Sequence, residues 1–166
     1  MEFDEPGWQL IDDFVLQLAV GRNPETVRRY GRVRDRLTYF LDTADMSFDL
    51  GVGPATLLDA EREFHEHGAF WLVYGPGELV ECLPGFISRP WLPDSAAAAR
   101  VQISVVARLA ESLRDESTVS PTSIAGMKLA VTYARHQVER RSASAEPDPR
   151  ATDIPQRLLR KPATEW

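Results

Sequence analysis

Residues 23–41 read NPETVRRYGRVRDRLTYFL and contain a clear helix start followed by an amphipathic pattern. Asn23 offers a capping oxygen, Pro24 suits the first helical position, and Glu25 places an acid in the first turn. The apolar positions then recur every three or four residues: Val27, Tyr30, Val33, Leu37, Phe40 and Leu41. This stretch predicts a helix from Pro24 to about Leu41 with one buried face and one solvent face.

Two further helices are predicted on either side of this stretch. A first helix runs from about residue 6 to residue 20, and Gly21 is its stop. Its apolar positions are Trp8, Ile11, Phe14, Val15 and Leu18. A third helix opens at Gly53-Pro54 and either stops at Gly68 or continues through Val73. Its apolar positions include Leu57, Leu58 and Phe64.

The second half of the chain predicts two more helices. Either Asp94 or Ser95 can cap the fourth. Its buried stripe is Val101, Val105, Val106, Leu109 and Leu113. Ser120-Pro121 repeats the cap-then-proline start for the fifth. Its buried face is Ile124, Met127, Val131, Ala134 and Val138.

The stretch from Gly75 to Asp94 is hard to assign. Gly75-Pro76-Gly77 is a turn signal, so residues 69–74 and 78–83 could form a small hairpin, and three later prolines break any long element. We therefore predict an all-α domain, a four- or five-helix orthogonal bundle over residues 1–141. Residues 142–166, rich in Ser, Ala, Pro and Asp, are predicted to be a flexible tail.

Composition narrows the class of protein. The chain has 166 residues, 43% of them hydrophobic and 27% charged, which suits one sizeable core. No apolar run approaches the roughly 18 residues that span a bilayer, and the acidic N-terminus is unlike a secretory signal, so we expect a cytoplasmic chain without a membrane partner. The one cysteine, Cys82, is expected to be a small buried residue.

Charge is distributed unevenly, although the net charge is −6. Residues 22–36 hold six arginines against two acids, residues 37–81 hold nine acids against Arg62 alone, and residues 89–141 hold eight bases against five acids. Two basic blocks therefore bracket an acidic one. A basic block favours nucleic-acid phosphates even in an acidic chain, because binding depends on local charge.

The arginines of two predicted helices fall opposite the apolar faces. On the second helix they lie within an arc of about 100°. On the fourth helix the outer face holds three arginines, a serine and a glutamate: Arg100, Ser104, Arg108, Glu111 and Arg114. The candidate DNA-binding residues are Arg28, Arg29, Arg32, Arg36, Arg100, Ser104 and Arg108. Arg34 instead projects into the apolar arc, where we expect it to snorkel or to pair with an acid.

Three segments of the chain resemble a known family. They are Trp8–Leu18, then Asn23-Pro24-Glu25-Thr26-Val27-Arg28-Arg29-Tyr30, and then Leu37-Thr38-Tyr39-Phe40-Leu41. Together they resemble the SAM-like core-binding domain that precedes the catalytic domain of tyrosine recombinases, the phage integrase family. Asn23 stands where the family has serine, while Thr26 and Tyr30 match. The resemblance implies a helical module, integrase-like and active in DNA integration and recombination, whose second and fourth helices face the major groove of double-stranded DNA.

No catalytic, metal or cofactor site is predicted. The family's arginine, His-x-x-Arg box and tyrosine nucleophile are not matched, since His136 is followed by Glu139 at the arginine position. His65 and His67 are two residues apart, which points them in different directions on a helix. We therefore expect a non-enzymatic chain that binds DNA.

The alternative function is a helical protein-interaction module. It is motivated by the acidic balance and by Leu129 and Tyr133, which stand off the main stripe of the fifth helix. These two residues are either secondary core, which is favoured, or a patch for self-association.

Overall fold

The chain is all-helical over residues 6–145, the part that this computed structural model describes. The helices are α1 (Pro6–Ala19), α2 (Pro24–Thr43), α3 (Ser47–Leu50), α4 (Val52–Arg62), α5 (Ala69–Val73), α6 (Pro76–Phe86), α7 (Ala96–Ser112) and α8 (Pro121–Ala145). The all-α prediction is confirmed. The number of helices exceeds the four or five predicted, because the middle of the chain forms four helices where one was expected.

The helices that were predicted from capping residues begin where the caps stand. The Asn23 side chain accepts a hydrogen bond from the Thr26 N–H at 2.8 Å, and Ser95, not Asp94, caps α7. Helix α8 continues to Ala145, so the first four residues of the predicted tail are helical. Residues 146–166, the rest of that tail, lie outside the described residues.

The predicted hairpin at residues 69–83 is wrong, because α5 and α6 occupy this stretch. Gly75-Pro76 opens a helix: Pro76 is in its first turn, and the Glu78 carboxylate accepts a hydrogen bond from the Gly75 N–H at 3.1 Å. The apolar residues of α6 recur at helical spacing and are buried: Leu79, Val80, Leu83 and Phe86. Burial of that face outweighs the helix-breaking tendency of Pro84, which lies near the C-terminal end.

The predicted third helix is shorter than either alternative. Helix α4 ends at Arg62, before both Gly68 and Val73, and a separate short helix α3 precedes it. Two of its predicted apolar positions, Leu57 and Phe64, are exposed by 51% and 80%. Only Leu58 of the three enters the core.

Helix α7 packs between α2 and α8, and α6 packs against α8. The Phe40 ring lies between Phe86, at 5.3 Å between ring centroids, and Trp91, at 5.0 Å. This packing brings the outer faces of α2, α7 and α8 next to one another.

Candidate nucleic-acid interface

Three arginines of α2 line a hollow between α2 and the N-terminal half of α7. We call this the α2–α7 cavity; its volume is about 270 Å³. Its lining is Glu25, Arg29, Arg32, Val33, Arg36, Pro93, Ser95, Ala97, Ala98, Val101 and Gln102. A neighbouring hollow of about 220 Å³ is lined by Arg100 and Ser104 and shares Arg29 and Val101 with the first. The two predicted faces are therefore contiguous.

The basic surface continues onto α8. A groove of about 500 Å³ between α7 and α8 is lined by Ser104, Arg108 and Glu111 from one helix and by Lys128, Thr132 and Arg135 from the other. Glu111 lies 4.0 Å from Lys128, so one of these cations has an acidic partner. Ser104 lines both this groove and the hollow beside the α2–α7 cavity. We call this surface, together with the exposed Arg28 that pairs with Glu25 at its edge, the basic face. Its cationic members are Arg28, Arg29, Arg32, Arg36, Arg100, Arg108, Lys128 and Arg135.

Sequence reasoning missed Lys128 and Arg135. They stand at positions i and i+7 of one helix, with Thr132 between them at i+4, so they share one flank of α8. That spacing was visible in the sequence. What the sequence did not contain was the packing of α8 against α7, which turns this flank toward Arg108.

Glu25 partly neutralises the N-terminal end of the basic face. Its carboxylate pairs with Arg28 at 3.2 Å and with Arg29 at 3.1 Å. The hydrogen bond and the charge of Arg29 lower the pKa of Glu25. Arg28 is exposed outside the three hollows, and its side chain is 66% exposed. All these groups are at the surface, so the pairing is weak and open to exchange.

The other cations of the basic face on α2 and α7 form no ion pair within the described residues. Arg36 donates to the main-chain oxygen of Trp91, and Arg100 donates to the Ser142 hydroxyl at 3.4 Å. Among residues 6–145, no carboxylate lies within 4.0 Å of Arg32 or Arg108. The guanidinium groups of Arg32 and Arg108 are thus available to an anion.

The acidic middle of the chain does not neutralise the basic face. Within the described part, two of its carboxylates contact side chains of the same segment: Asp59 pairs with Arg62 at 3.0 Å, and Asp42 lies 3.2 Å from the His67 ring nitrogen. The charge separation seen along the sequence is therefore kept in space.

Arg34 behaves as predicted and does not belong to the basic face. Its guanidinium bonds Asp35 at 2.8 Å and Asp12 at 3.4 Å, which ties α2 to α1. The hydrogen bond to Asp35 raises the pKa of Arg34, with further contributions from both carboxylate charges. Its role is structural.

Cys82, the possible metal ligands and the possible membrane spans are questions separate from the basic face. Cys82 is fully buried, as predicted, and burial raises the pKa of its thiol, so it remains protonated. No group of three or more His, Cys, Asp or Glu side chains suited to a metal occurs among the described residues. No helix within residues 6–145 is both long and apolar enough to cross a membrane.

Leu129 and Tyr133 are not secondary core, so that interpretation was wrong. They are exposed by 74% and 67% on the outer side of α8. The buried residues of α8 form a single stripe that packs against α6 and α7, and Leu129 and Tyr133 lie outside this stripe.

Comparison with known proteins gives no match. No family model, no curated protein and no solved structure matches this chain.

Proposed function

We propose that this chain is a non-catalytic module that binds double-stranded DNA through the basic face, in the manner of a recombinase core-binding domain. The observation that carries the proposal is the run of cations from α2 across α7 to α8. Within residues 6–145, no carboxylate lies within 4.0 Å of Arg32 or Arg108, although Glu25 and Glu111 line the same hollows. The resemblance of Trp8–Leu41 to a recombinase core-binding domain supports the same function. It is independent of the observation that the arginine faces of α2 and α7 are contiguous.

The chemistry follows from the charge density of the duplex. DNA carries one negative charge per about 1.7 Å of its axis, with counterions condensed around it. At about 1.5 Å per residue, Arg100 and Arg108 lie about 12 Å apart along α7, so they reach different phosphates. Guanidinium groups also form paired hydrogen bonds with phosphate oxygens and with guanine edges. Phosphate contacts of this kind give affinity and orientation before any sequence is read.

The test is fluorescence anisotropy with a labelled duplex of about 20 base pairs, titrated between about 50 and 200 mM salt. We expect a micromolar or weaker dissociation constant with a steep salt dependence. The double variant Arg32→Ala/Arg108→Ala should reduce the salt slope by up to about 1.8, since each phosphate contact contributes about 0.9.

The matched control is Arg140→Ala, which removes the same charge from an exposed arginine of α8 that lines none of the three hollows. It should bind as the unchanged protein does. Equal affinity and slope for the double variant and the unchanged protein would contradict the proposal.

A second candidate function is self-association through α8. The exposure of Leu129 and Tyr133, one helical turn apart, favours it. Sedimentation velocity should then show a dimer that Leu129→Ser/Tyr133→Ser converts to a monomer. Because both side chains are exposed, the variant should keep its fold. A stable dimer that does not bind DNA at low salt would favour this function over the first.

A further inference from the structure

Helix α4 has apolar residues on two sides. Ala55 and Leu58 face the core and are buried, whereas Leu57 and Phe64 are exposed by 51% and 80%. Leu57, Ala60 and Phe64 stand at positions i, i+3 and i+7, so they share one face of the helix. We call these three exposed residues the α4 stripe. Paired helices contact each other through side chains at this spacing.

Two glutamates flank the α4 stripe. The helical turn continues past the end of α4, because the Phe64 N–H bonds the Glu61 carbonyl at 3.0 Å. At 100° per residue, Glu61 and Glu63 fall on opposite sides of the stripe. Neither carboxylate forms an ion pair within residues 6–145. A partner for this stripe is therefore apolar at its centre and basic at its edges.

The groove between α7 and α8 has that composition. Its rims include Arg108 from α7 and Arg135 from α8, and among residues 6–145 no carboxylate lies within 4.0 Å of either. Lys128 and Glu111 also line the groove, and at 4.0 Å they offset each other. The floor is apolar and consists of Ala107, Ala110, Ile124, Met127 and Val131.

The floor of this α7–α8 groove is continuous with the hydrophobic core. All of its residues except Ala107 are buried and belong to the core cluster. An apolar side chain that enters the groove therefore extends the core outward. The groove volume of about 500 Å³ lies within the range of concave binding sites.

We propose that the α4 stripe of one copy of this chain docks in the α7–α8 groove of a second copy. Leu57 and Phe64 cover the groove floor, and the two glutamates that flank the stripe meet Arg108 and Arg135 at the rims. Two α4 stripes facing each other would bring acids against acids, which opposes symmetric pairing. Because the two surfaces differ, each contact leaves one stripe and one groove unused, so the association is head-to-tail.

This association does not rest on the proposed DNA function, since it uses α4 and no residue of α2. If both hold, duplex DNA and the second copy compete for Arg108 and Arg135. The contact also differs from self-association through Leu129 and Tyr133, because neither of these residues lines the α7–α8 groove.

Sedimentation velocity of the full chain over a range of concentrations tests the proposal. We expect an average mass that rises with concentration and a dissociation constant of about 100 μM, since one stripe against one groove is a small contact. The groove variant, Arg108→Glu/Arg135→Glu, should weaken the association at least about tenfold, because it places like charges together. The stripe variant, Leu57→Ser/Phe64→Ser, should do the same. All four side chains are exposed, so both variants should keep the fold, which circular dichroism checks.

The sharpest measurement mixes the two variants in equal amounts. The groove variant keeps its stripe and the stripe variant keeps its groove, so one contact can form. We expect a 1:1 complex and nothing larger from two variants that are each monomeric alone. A contact between two like surfaces cannot give this result. The control for net charge is Arg22→Glu/Arg140→Glu, which reverses two exposed arginines outside the groove and should associate as the unchanged protein does.

The proposal is overturned if the unchanged chain stays monomeric at about 1 mM, if either variant associates normally, or if the mixture of the two folded variants stays monomeric. Loss of association in Arg22→Glu/Arg140→Glu overturns it as well, because net charge would then decide the association. Loss in Leu129→Ser/Tyr133→Ser would place the contact on the outer side of α8 instead. A monomeric chain that binds duplex DNA would reject this inference and leave the DNA function standing.

Discussion

The basic face and the acidic end of the molecule use charged side chains in opposite ways. We define the acidic end as α3, α4 and α5 with their connections. On the basic face, Arg28 is 66% exposed and the arginines border open hollows. At the acidic end, the Arg62 side chain is 15% exposed and donates to the Leu41 and Ala44 carbonyls at 2.6 and 2.9 Å. An arginine exposed at the surface can bind an anionic partner, whereas one that caps a helix is committed to the fold.

Carboxylates show the same division. Asp42 accepts a hydrogen bond from the Gly68 N–H at 3.0 Å, which fixes the turn before α5. Gly68 has a φ of 80°, a left-handed conformation that favours glycine. Glu25, on the other side of the molecule, is exposed and pairs only with arginine side chains. Asp42, at the C-terminal end of α2 beside the acidic end, and Arg62 thus bond backbone groups of the fold, whereas Glu25 bonds only side chains at the surface.

The largest expected effect comes from the core that joins the two regions. Phe86→Ala removes a fully buried ring that contacts Phe40, so we expect a loss of about 3–5 kcal/mol in the free energy of unfolding. Urea denaturation followed by circular dichroism measures it. Phe48→Ala is the control, because Phe48 is 96% exposed at the acidic end and should change stability little. Two separate transitions in the unchanged protein would mean that the regions fold independently.

The next effect sharpens the contrast between the two kinds of arginine. Arg62→Ala should cost about 2 kcal/mol of unfolding free energy, because it leaves the last carbonyls of α2 without donors. Arg32→Ala, on the basic face, should cost less than about 0.5 kcal/mol. The two variants are compared in the same urea titration. Equal losses of unfolding free energy in the two variants would mean that Arg62 is no more important to the fold than Arg32.

A third effect tests how far the basic face extends. Lys128→Ala/Arg135→Ala should weaken duplex DNA binding about tenfold at low salt and reduce the salt slope by up to about 1.8. Arg140→Ala, an exposed arginine of α8 that does not line the α7–α8 groove, is the control. If the control weakens binding as much as the double variant, net charge and not the groove decides affinity.

A fourth effect concerns a carboxyl at the acidic end. Burial, with the nearby charge of Asp45, raises the pKa of Asp49 to about 6. Because the folded pKa exceeds the ordinary value of 3.8, the ionised form destabilises the fold, and stability falls as pH rises from about 4 through 6. Asp49→Asn should therefore raise stability by about 1 kcal/mol at neutral pH, a figure reduced for the half-exposed position, and by nothing near pH 4. Thermal unfolding at the two pH values checks this; a gain that is equal at both would contradict it.

The smallest effect concerns Glu25. Glu25→Gln releases Arg28 and Arg29 from their carboxylate, so duplex DNA should bind about two- to threefold more tightly at low salt. Asp59→Asn makes the same charge change beside Arg62 at the acidic end and should have a smaller effect. Unchanged binding by Glu25→Gln would place the DNA away from the N-terminal end of α2.

The sequence determined the long helices, since their caps and apolar spacing are local properties. Asn23 caps the helix that it was predicted to cap, and so does Ser95, one of the two predicted caps of the fourth helix. The residues predicted as the buried stripe of the fifth helix are residues of α8 that are buried in the hydrophobic core. Local chemistry also predicted that Arg34 pairs with an acid. Caps and apolar spacing did not predict the structure of residues 69–94, because a Gly-Pro-Gly run is compatible with both a turn and a helix start.

Only the tertiary structure decided which outer faces meet. Helical periodicity states where Arg32, Arg108 and Lys128 point on their own helices, but it contains no distance between helices. The packing of α2 and α8 on the two sides of α7 aligned these faces. The physical reason is that burying apolar stripes fixes the relative rotation of the helices, and the polar faces follow wherever that rotation carries them.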